Sequence, residues 1–337
     1  MKSIMKNKPI IGISMGDAAG ISPEIIIKYF LYGKKSNFKL VVFGASNVFE
    51  FYKKLFGLDF KIKAVEDLNN LNDESLNIFN CTSSNPKDIV FGQIDKEYGK
   101  LSFESINYAI DMALENKIDA YVSGPINKKA MNLAGFDYPG HTEILAKKTN
   151  TKNYVMMLGY RKFRVSLVTA HVSLRNVSDL VTKERVLNTI LVSHKDLVEK
   201  FGIKNPKILV CSLNPHNSEN GMFGDEEEKK IVPAVLEAQK LGIDVVGSIA
   251  ADTAFLPQNR RTYDLFVSMY HDQGLSVLKA LYFDKSVNVT LGLPIIRTSP
   301  DHGSAFDIAG QFKASYQSMQ EAVLQAYNMI KCRQKSR

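Results

Sequence analysis

Apolar residues in this 337-residue chain fall in short dense runs, separated by stretches with a helical rhythm. Eight runs read as strands: "PIIGISM", "KLVVFGA", "DAYVSGP", "FRVSLVTA", "KILVCSL", "DVVGSIA", "LFVSMY" and "SVNVTLG". Between them, "SFESINYAIDMALEN" sets Ile106, Ile110, Met112, Ala113 and Leu114 on one apolar stripe, and "KERVLNTILVSHKDLVEKFG" forms a second helix closed by Gly202. Such alternation predicts βα units around a largely parallel sheet, hence an α/β fold. The length suits two packed domains or one large one. No repeat, low-complexity tract or Pro/Gly linker marks a boundary.

Three of these apolar segments stop at a histidine: "FRVSLVTAH" at His171, "KILVCSLNPH" at His216 and "YDLFVSMYH" at His271. Any one alone reads as a polar strand end. In open α/β sheets, however, ligands gather at the carboxyl ends of the strands, and neutral imidazole is the commonest ligand of zinc and similar ions. Three such histidines with open coordination positions would suit a catalytic metal. Asp272, next to His271, is placed to orient its imidazole, and Asp252 in "IAADTAF" comes from another strand end.

The opening "ISMGDAAGISPEI" puts a glycine-rich turn between a strand and a helix, with Ser22 as a candidate cap, Pro23 in the first turn and Glu24 at the positive end of the dipole. It is not G-x-G-x-x-G, so the dinucleotide fingerprint is absent. In "YPGHTEILAKK", His141 and Thr142 open a helix, with Thr142 expected as N-cap. That is either ordinary capping or an anion site. Lys279, Asn288 and Arg297 follow in a strand-rich segment. They are surface cations and a polar neighbour, or a proton shuttle and a clamp for phosphate or carboxylate. A glycine-punctuated loop, "RTSPDHGSAFDIAG", precedes the last helix.

Composition narrows the classes. With 45% hydrophobic and 23% charged residues the balance is that of a soluble globular protein. No apolar run is long enough to span a bilayer, and no signal peptide is expected at the start. Cys81, Cys211 and Cys332 are scattered, which favours a reducing, cytoplasmic setting over a disulfide framework. Lysine and arginine exceed acidic residues by 43 − 35 = 8. The excess is spread along the chain, which reads as a solvated basic surface combined with attraction of an anionic small substrate, with nucleic acid last.

In order, "GDAAGISPEI", "SGPINKKAM", "PGHTEILA", "TAHVSLRNV", "NPHNSENGMFGDEE", "MYHDQGL" and "VNVTLGLPIIRTSPDHGSAFDIAG" resemble the motifs of the 4-hydroxythreonine-4-phosphate dehydrogenase family, over about Ile10 to Met329. The last also resembles the "HGSAPDIAG" loop of isopropylmalate and isocitrate dehydrogenases. The resemblance implies their fold: two α/β/α domains with a cleft between them, here drawn as residues 1–125 plus 288–337 on the cofactor side and 126–287 for metal and dimerisation. It implies that His171, His216 and His271 hold a divalent metal (zinc, magnesium or cobalt) shared between the subunits of a homodimer. His141, Thr142, Lys279, Asn288 and Arg297 match substrate contacts, and Gly303, Ser304 and Asp307 match contacts to NAD or NADP.

The implied reaction is oxidation of the C3 hydroxyl of 4-phosphohydroxy-L-threonine, with decarboxylation to 3-amino-2-oxopropyl phosphate, in pyridoxal 5'-phosphate biosynthesis. Lys279, Asp252 and Asp272 are the candidate catalytic residues, with Lys279 first for proton transfer. Ala18 and Ser22 replace the family's usual proline and glycine, and Asn176 replaces an acid. Those departures bear on substrate choice and keep D-threonate or D-erythronate 4-phosphate as an alternative. A three-histidine hydrolase of a phosphorylated substrate, or a non-catalytic metabolite-binding protein, are the readings from other classes. Neither accounts for the "DHGSAFDIAG" loop together with the complete set of candidate ligands.

Overall fold

The computed structural model describes residues 8–34, 36–84, 86 and 88–335. In chain order the strands are β1 (Ile10–Ser14), β2 (Lys39–Gly44), β3 (Lys61–Val65), β4 (Ser75–Asn80), β5 (Ala120–Ser123), β6 (Val155–Tyr160), β7 (Phe163–Leu167), β8 (Ile208–Cys211), β9 (Val245–Ile249), β10 (Leu265–Ser268), β11 (Val287–Leu291) and β12 (Arg297–Pro300). The helices that matter below are α1 (Ser22–Tyr32), α2 (Lys96–Leu114), α3 (Lys128–Leu133), α4 (His141–Lys148), α5 (Lys183–Glu199), α6 (His271–Tyr282) and α7 (Gln317–Lys335). All eight apolar runs are strands, and both helical stretches are helices. This is the expected mixed α/β architecture.

The chain forms two compact units, one of residues up to Asn150 with Pro294–Ile330, the other of Thr151–Leu293 with Lys331 onward. In the first, strands run β3-β4-β2-β1-β5-β12, all parallel. In the second, the order is β11-β6-β7-β10-β8-β9, with β6 antiparallel to both neighbours and the rest parallel. These boundaries differ from the expected ones, because residues 126–150 pack within the first unit. The cause is close backbone approach: a Cβ on Gly99 of α2 would lie 2.0 Å from the Ala130 carbonyl oxygen of α3, so only glycine lets the two helices touch there.

The strands are buried by simple means. Ile11, Ile13, Val41, Val42, Phe43, Ile78 and Val122 fill the first unit's interior, and Leu158, Phe163, Val165, Leu209, Phe266, Leu275 and Leu278 fill the second's. Two cap expectations are corrected. α1 begins at Ser22 itself, whose hydroxyl donates to the Met15 carbonyl at 2.6 Å, so it tethers the preceding loop instead of capping. α4 begins at His141 after an extended Gly140, so Thr142 lies inside the first turn, buried, and is not the N-cap.

Candidate active site

In the first unit, strand ends converge on Arg297. Its position on β12 is opposite Tyr121 of β5, and it is buried although it is a cation (3% exposed). Its Nε and Nη2 donate to the Ser123 hydroxyl at 3.1 and 2.5 Å. Tyr121, fully buried, shares a 2.9 Å hydrogen bond with Ser14 of β1, which packs the floor under the guanidinium. Burial lowers the Arg297 pKa to about 10, with Tyr121 and Glu143 opposing. A group with that value stays charged at neutral pH, so a cation is held in a low-dielectric setting where an anion is bound strongly.

His141 stands at the start of α4 beside this cation. Burial first, then Arg297 and Lys128, hold its imidazole pKa well below the ordinary histidine value, so the ring is neutral. Its Nε2 is enclosed and makes no hydrogen bond among the described residues. An enclosed polar atom without a partner costs free energy unless a ligand meets it. Arg297, Lys128, His141 and the free amides at the start of α4 thus form one electropositive nook. Ser123 and Tyr121 were not recognisable in the sequence as parts of it, because a serine and a tyrosine inside an apolar strand carry no spacing signal.

In the second unit, the three histidines do lie just beyond strand ends. β7 and β10 are neighbours, and beyond them Val168 and Thr169 donate to the Ser268 and Met269 carbonyls at 2.9 and 3.1 Å. This brings the His171 and His271 ring centroids to 6.0 Å. The His271 Nδ1 and Asp272 Oδ1 lie 2.6 Å apart, an arrangement that fixes the ring's orientation. Gln273 ties the next loop in, its Nε2 donating to the Ser212 carbonyl at 2.7 Å and its Oε1 accepting from the Met269 amide at 2.7 Å.

His216 is held differently. Residues 216–220 all have positive φ, between 46° and 63°, a left-handed turn that L-residues avoid. An acidic pair anchors its start: buried Glu227 accepts from the Leu213 and Asn214 amides at 2.7 and 2.8 Å, and the Asn214 amide group donates to Glu226 and Glu227 at 2.7 and 2.9 Å. This explains "NPHNSENGMFGDEE" as one unit. Among the described residues, no group of three or more histidine, cysteine or acidic side chains is arranged to hold a metal ion.

The remaining candidates are placed as follows. Asp252 is exposed in the short helix Ala251–Ala254 after β9. Lys279 lies on α6, eight residues past His271 and so roughly 12 Å further along the axis. Asn288 is half-buried on β11. The loop carrying Gly303, Ser304 and Asp307 belongs to the first unit. Gly303 and Asp307 are exposed, and the Asp307 carboxylate makes no hydrogen bond among the described residues. An exposed, unsatisfied acid on an open loop fits a ribose diol, which donates hydrogen bonds. A cavity of about 220 Å³ lined by Tyr29, Phe38, Asn72 and Asn77 lies at the amino ends of β2 and β4 and contains none of the candidates.

The profile of the family described as "Pyridoxal phosphate biosynthetic protein PdxA" matches residues 36–326. The chain belongs to the PdxA family. A 4-hydroxythreonine-4-phosphate dehydrogenase of Geobacter metallireducens is 43% identical over 327 residues, covering 96% of each chain. A protein of Oceanobacillus iheyensis, provisionally named a D-threonate 4-phosphate dehydrogenase, is 44% identical over 332 residues, covering 96% of this chain and 99% of that one. The crystal structure of 4-hydroxythreonine-4-phosphate dehydrogenase from Klebsiella pneumoniae superposes with a TM-score of 0.87 at 36% identity, covering 96% of this chain and 100% of that one. As a PdxA-family dehydrogenase the chain is an oxidoreductase, a class that implies a nicotinamide cofactor and a divalent metal. Among the described residues no helix is long and apolar enough to cross a membrane.

Proposed function

We propose that this protein is an NAD(P)-dependent, divalent-metal-assisted dehydrogenase of 4-phosphohydroxy-L-threonine. The observation that carries this reading is the nook of buried Arg297 and neutral His141, with exposed Lys128 at its rim; the unpartnered Nε2 and the buried guanidinium suit a phosphate. Thr142 and the amides of α4 add donors, and Asn288 and Lys279 contact the rest of the substrate. The C3 hydroxyl is oxidised with release of its proton, for which Lys279 is the acceptor. The resulting β-keto acid loses its carboxylate as CO2, leaving 3-amino-2-oxopropyl phosphate. The nicotinamide supplies the hydride acceptor, with Gly303, Ser304 and Asp307 as its contacts. His171, His216 and His271 would hold the divalent ion (zinc, magnesium or cobalt), which supplies Lewis acidity at the C3 oxygen. Asp272 orients His271, and Asp252 lines the same site.

The enzyme works as a homodimer. Val172, Leu174, Met222 and Phe223, at 39%, 73%, 73% and 48% exposure, flank His171 and His216. Apolar side chains this exposed beside a two-histidine site suit a second copy that covers them and brings the third ligand. Three free thiols suit the cytoplasm.

A second reading has a specific basis in the Oceanobacillus iheyensis relative and in two fully buried residues, Ala18 in the loop after β1 and Ser22 at the start of α1. With D-threonate or D-erythronate 4-phosphate, the same chemistry gives a phosphorylated dihydroxyacetone. Incubation with NAD or NADP, zinc, and each phosphate, followed by NADH absorbance, tests both. NADH formed fastest with 4-phosphohydroxy-L-threonine supports the first reading, faster formation with the hydroxy acids supports the second, and none with any of them defeats both.

A further inference from the structure

Behind the exposed loop lies a buried ion pair that the chemistry above does not use. Glu24 is fully enclosed in the first turn of α1, and Lys28, one turn on, is 8% exposed. The Lys28 ammonium donates to Glu24 Oε1 at 2.9 Å, to the Phe312 carbonyl at 2.7 Å and to the Ala314 carbonyl at 2.8 Å. All three of its protons are thereby spent on α1 and on one short segment that follows the loop. The Ala314 amide returns a hydrogen bond to Glu24 Oε1 at 2.7 Å, and the ammonium sits 4.3 Å from the Phe312 ring centre. Phe312 has a φ of 53°, an unfavourable left-handed backbone for a bulky residue that must be held in place from outside.

The other end of the loop is fixed on the same helix. The Ile21 amide donates to the Ser304 carbonyl at 3.0 Å, and a Cβ on Gly20 would lie 2.8 Å from that of Ser304. Residues 305–311 thus run between two attachments on the start of α1, with Asp307 exposed between them. Burying a lysine–glutamate pair carries a desolvation cost that an apolar pair of similar volume would not. Its retention here is poorly explained by stability, and well explained by the two carbonyls and one amide it fixes.

We infer that Glu24 and Lys28 are positioning residues for the cofactor loop, setting Ser304–Asp307 in the conformation that meets the nicotinamide dinucleotide. The inference rests on the proposed reading that this loop contacts that cofactor. The test uses the zinc-loaded full-length enzyme, and three variants: Asp307→Ala, Glu24→Gln, and the double variant Glu24→Gln/Lys28→Met. NADH affinity is read by its fluorescence, inorganic phosphate affinity by calorimetry, and steady-state constants for NAD alongside. We expect the double variant to fold and to bind NADH more weakly by on the order of tenfold, since a loop that loses its preorganisation must be ordered on binding. Its KM for NAD should rise with kcat and phosphate affinity unchanged. Glu24→Gln alone keeps an acceptor for both donors and should stay near wild type. If Asp307→Ala weakens NADH binding but the double variant does not, positioning by the pair is overturned. A double variant that fails to accumulate as folded protein, or that loses phosphate and NADH affinity alike, overturns it as well, because the pair is then part of general stability. If Asp307→Ala leaves NADH affinity unchanged, the cofactor-loop reading itself fails and the inference with it.

Discussion

The two units of this molecule prepare for ligands in opposite ways. The first encloses its charges: Arg297 is buried on a floor of Tyr121 and Ser123, and His141 is kept neutral by its surroundings. The second leaves its functional side chains outside, with His171 and His216 exposed and the His171 and His271 rings 6.0 Å apart. A phosphate site can be finished within one chain because a strand, a helix start and a guanidinium suffice. A three-imidazole site needs three strand ends to converge; His171 and His271 follow neighbouring strands, whereas His216 rides on a left-handed turn. The first unit builds its charged nook from one chain, and on the proposed reading a second copy completes the histidine site of the other.

The sharpest way to break this contrast is Arg297→Ala. Removing one member of a buried charge-assisted contact typically costs about 2–5 kcal/mol, so kcat/KM for the phosphorylated substrate should fall by about thirtyfold or more. Steady-state kinetics that show less than a tenfold loss would remove the nook from the substrate site. Glu227→Ala should act on the other unit. It strands two half-buried amides, at about 1–3 kcal/mol, and should loosen zinc binding by about 10- to 100-fold because His216 loses its mounting. Competition with a chromogenic chelator measures this directly. Phosphate affinity should not change.

A smaller effect is pH-dependent. Burial raises the Asp17 carboxyl to about 6, against hydrogen bonds from the Ala19, Gly20 and Asn127 amides. The folded state therefore holds this proton more tightly than the unfolded chain. Its contribution to stability is full below about pH 4 and is lost as pH rises through about 6. Asp17→Asn should remove that component, so Tm relative to wild type should rise between pH 4 and pH 7, by an amount on the order of 2–3 kcal/mol in stability. A difference that is flat with pH would contradict this. The smallest expected effect is Ser218→Gly, at φ 63° in the left-handed turn. It should stabilise by roughly 1 kcal/mol, measured by chemical denaturation, because glycine accepts that backbone without the Cβ clash.

Much of this was legible in the sequence, and for physical reasons. Eight strands carry dense apolar runs because strands buried in a sheet, most of them parallel here, must, and the strand-end histidines stood out against them. β3, "KIKAV", was hidden because an edge strand keeps polar positions, and its Lys61 and Ala64 are exposed. β12, "RTSP", was hidden for the opposite reason: it buries Arg297, Thr298 and Ser299, so the most polar strand of the first unit is also one of its most enclosed. Ser123 and Glu227 act through hydrogen bonds that span 174 residues, or that turn a loop back on itself. Neither leaves a periodic trace.

The central claim is that the histidine site is divided between two copies, and complementation tests it most directly. His216→Ala and His271→Ala should each abolish turnover alone. Co-refolded together, they form heterodimers in which one site receives wild-type histidines from both chains, whichever of the two residues crosses the interface. Activity within the heterodimer fraction should then recover to about half that of wild type, on the basis of independent sites. Heterodimers demonstrated by native mass spectrometry yet without any activity would mean that all three histidines act within one chain.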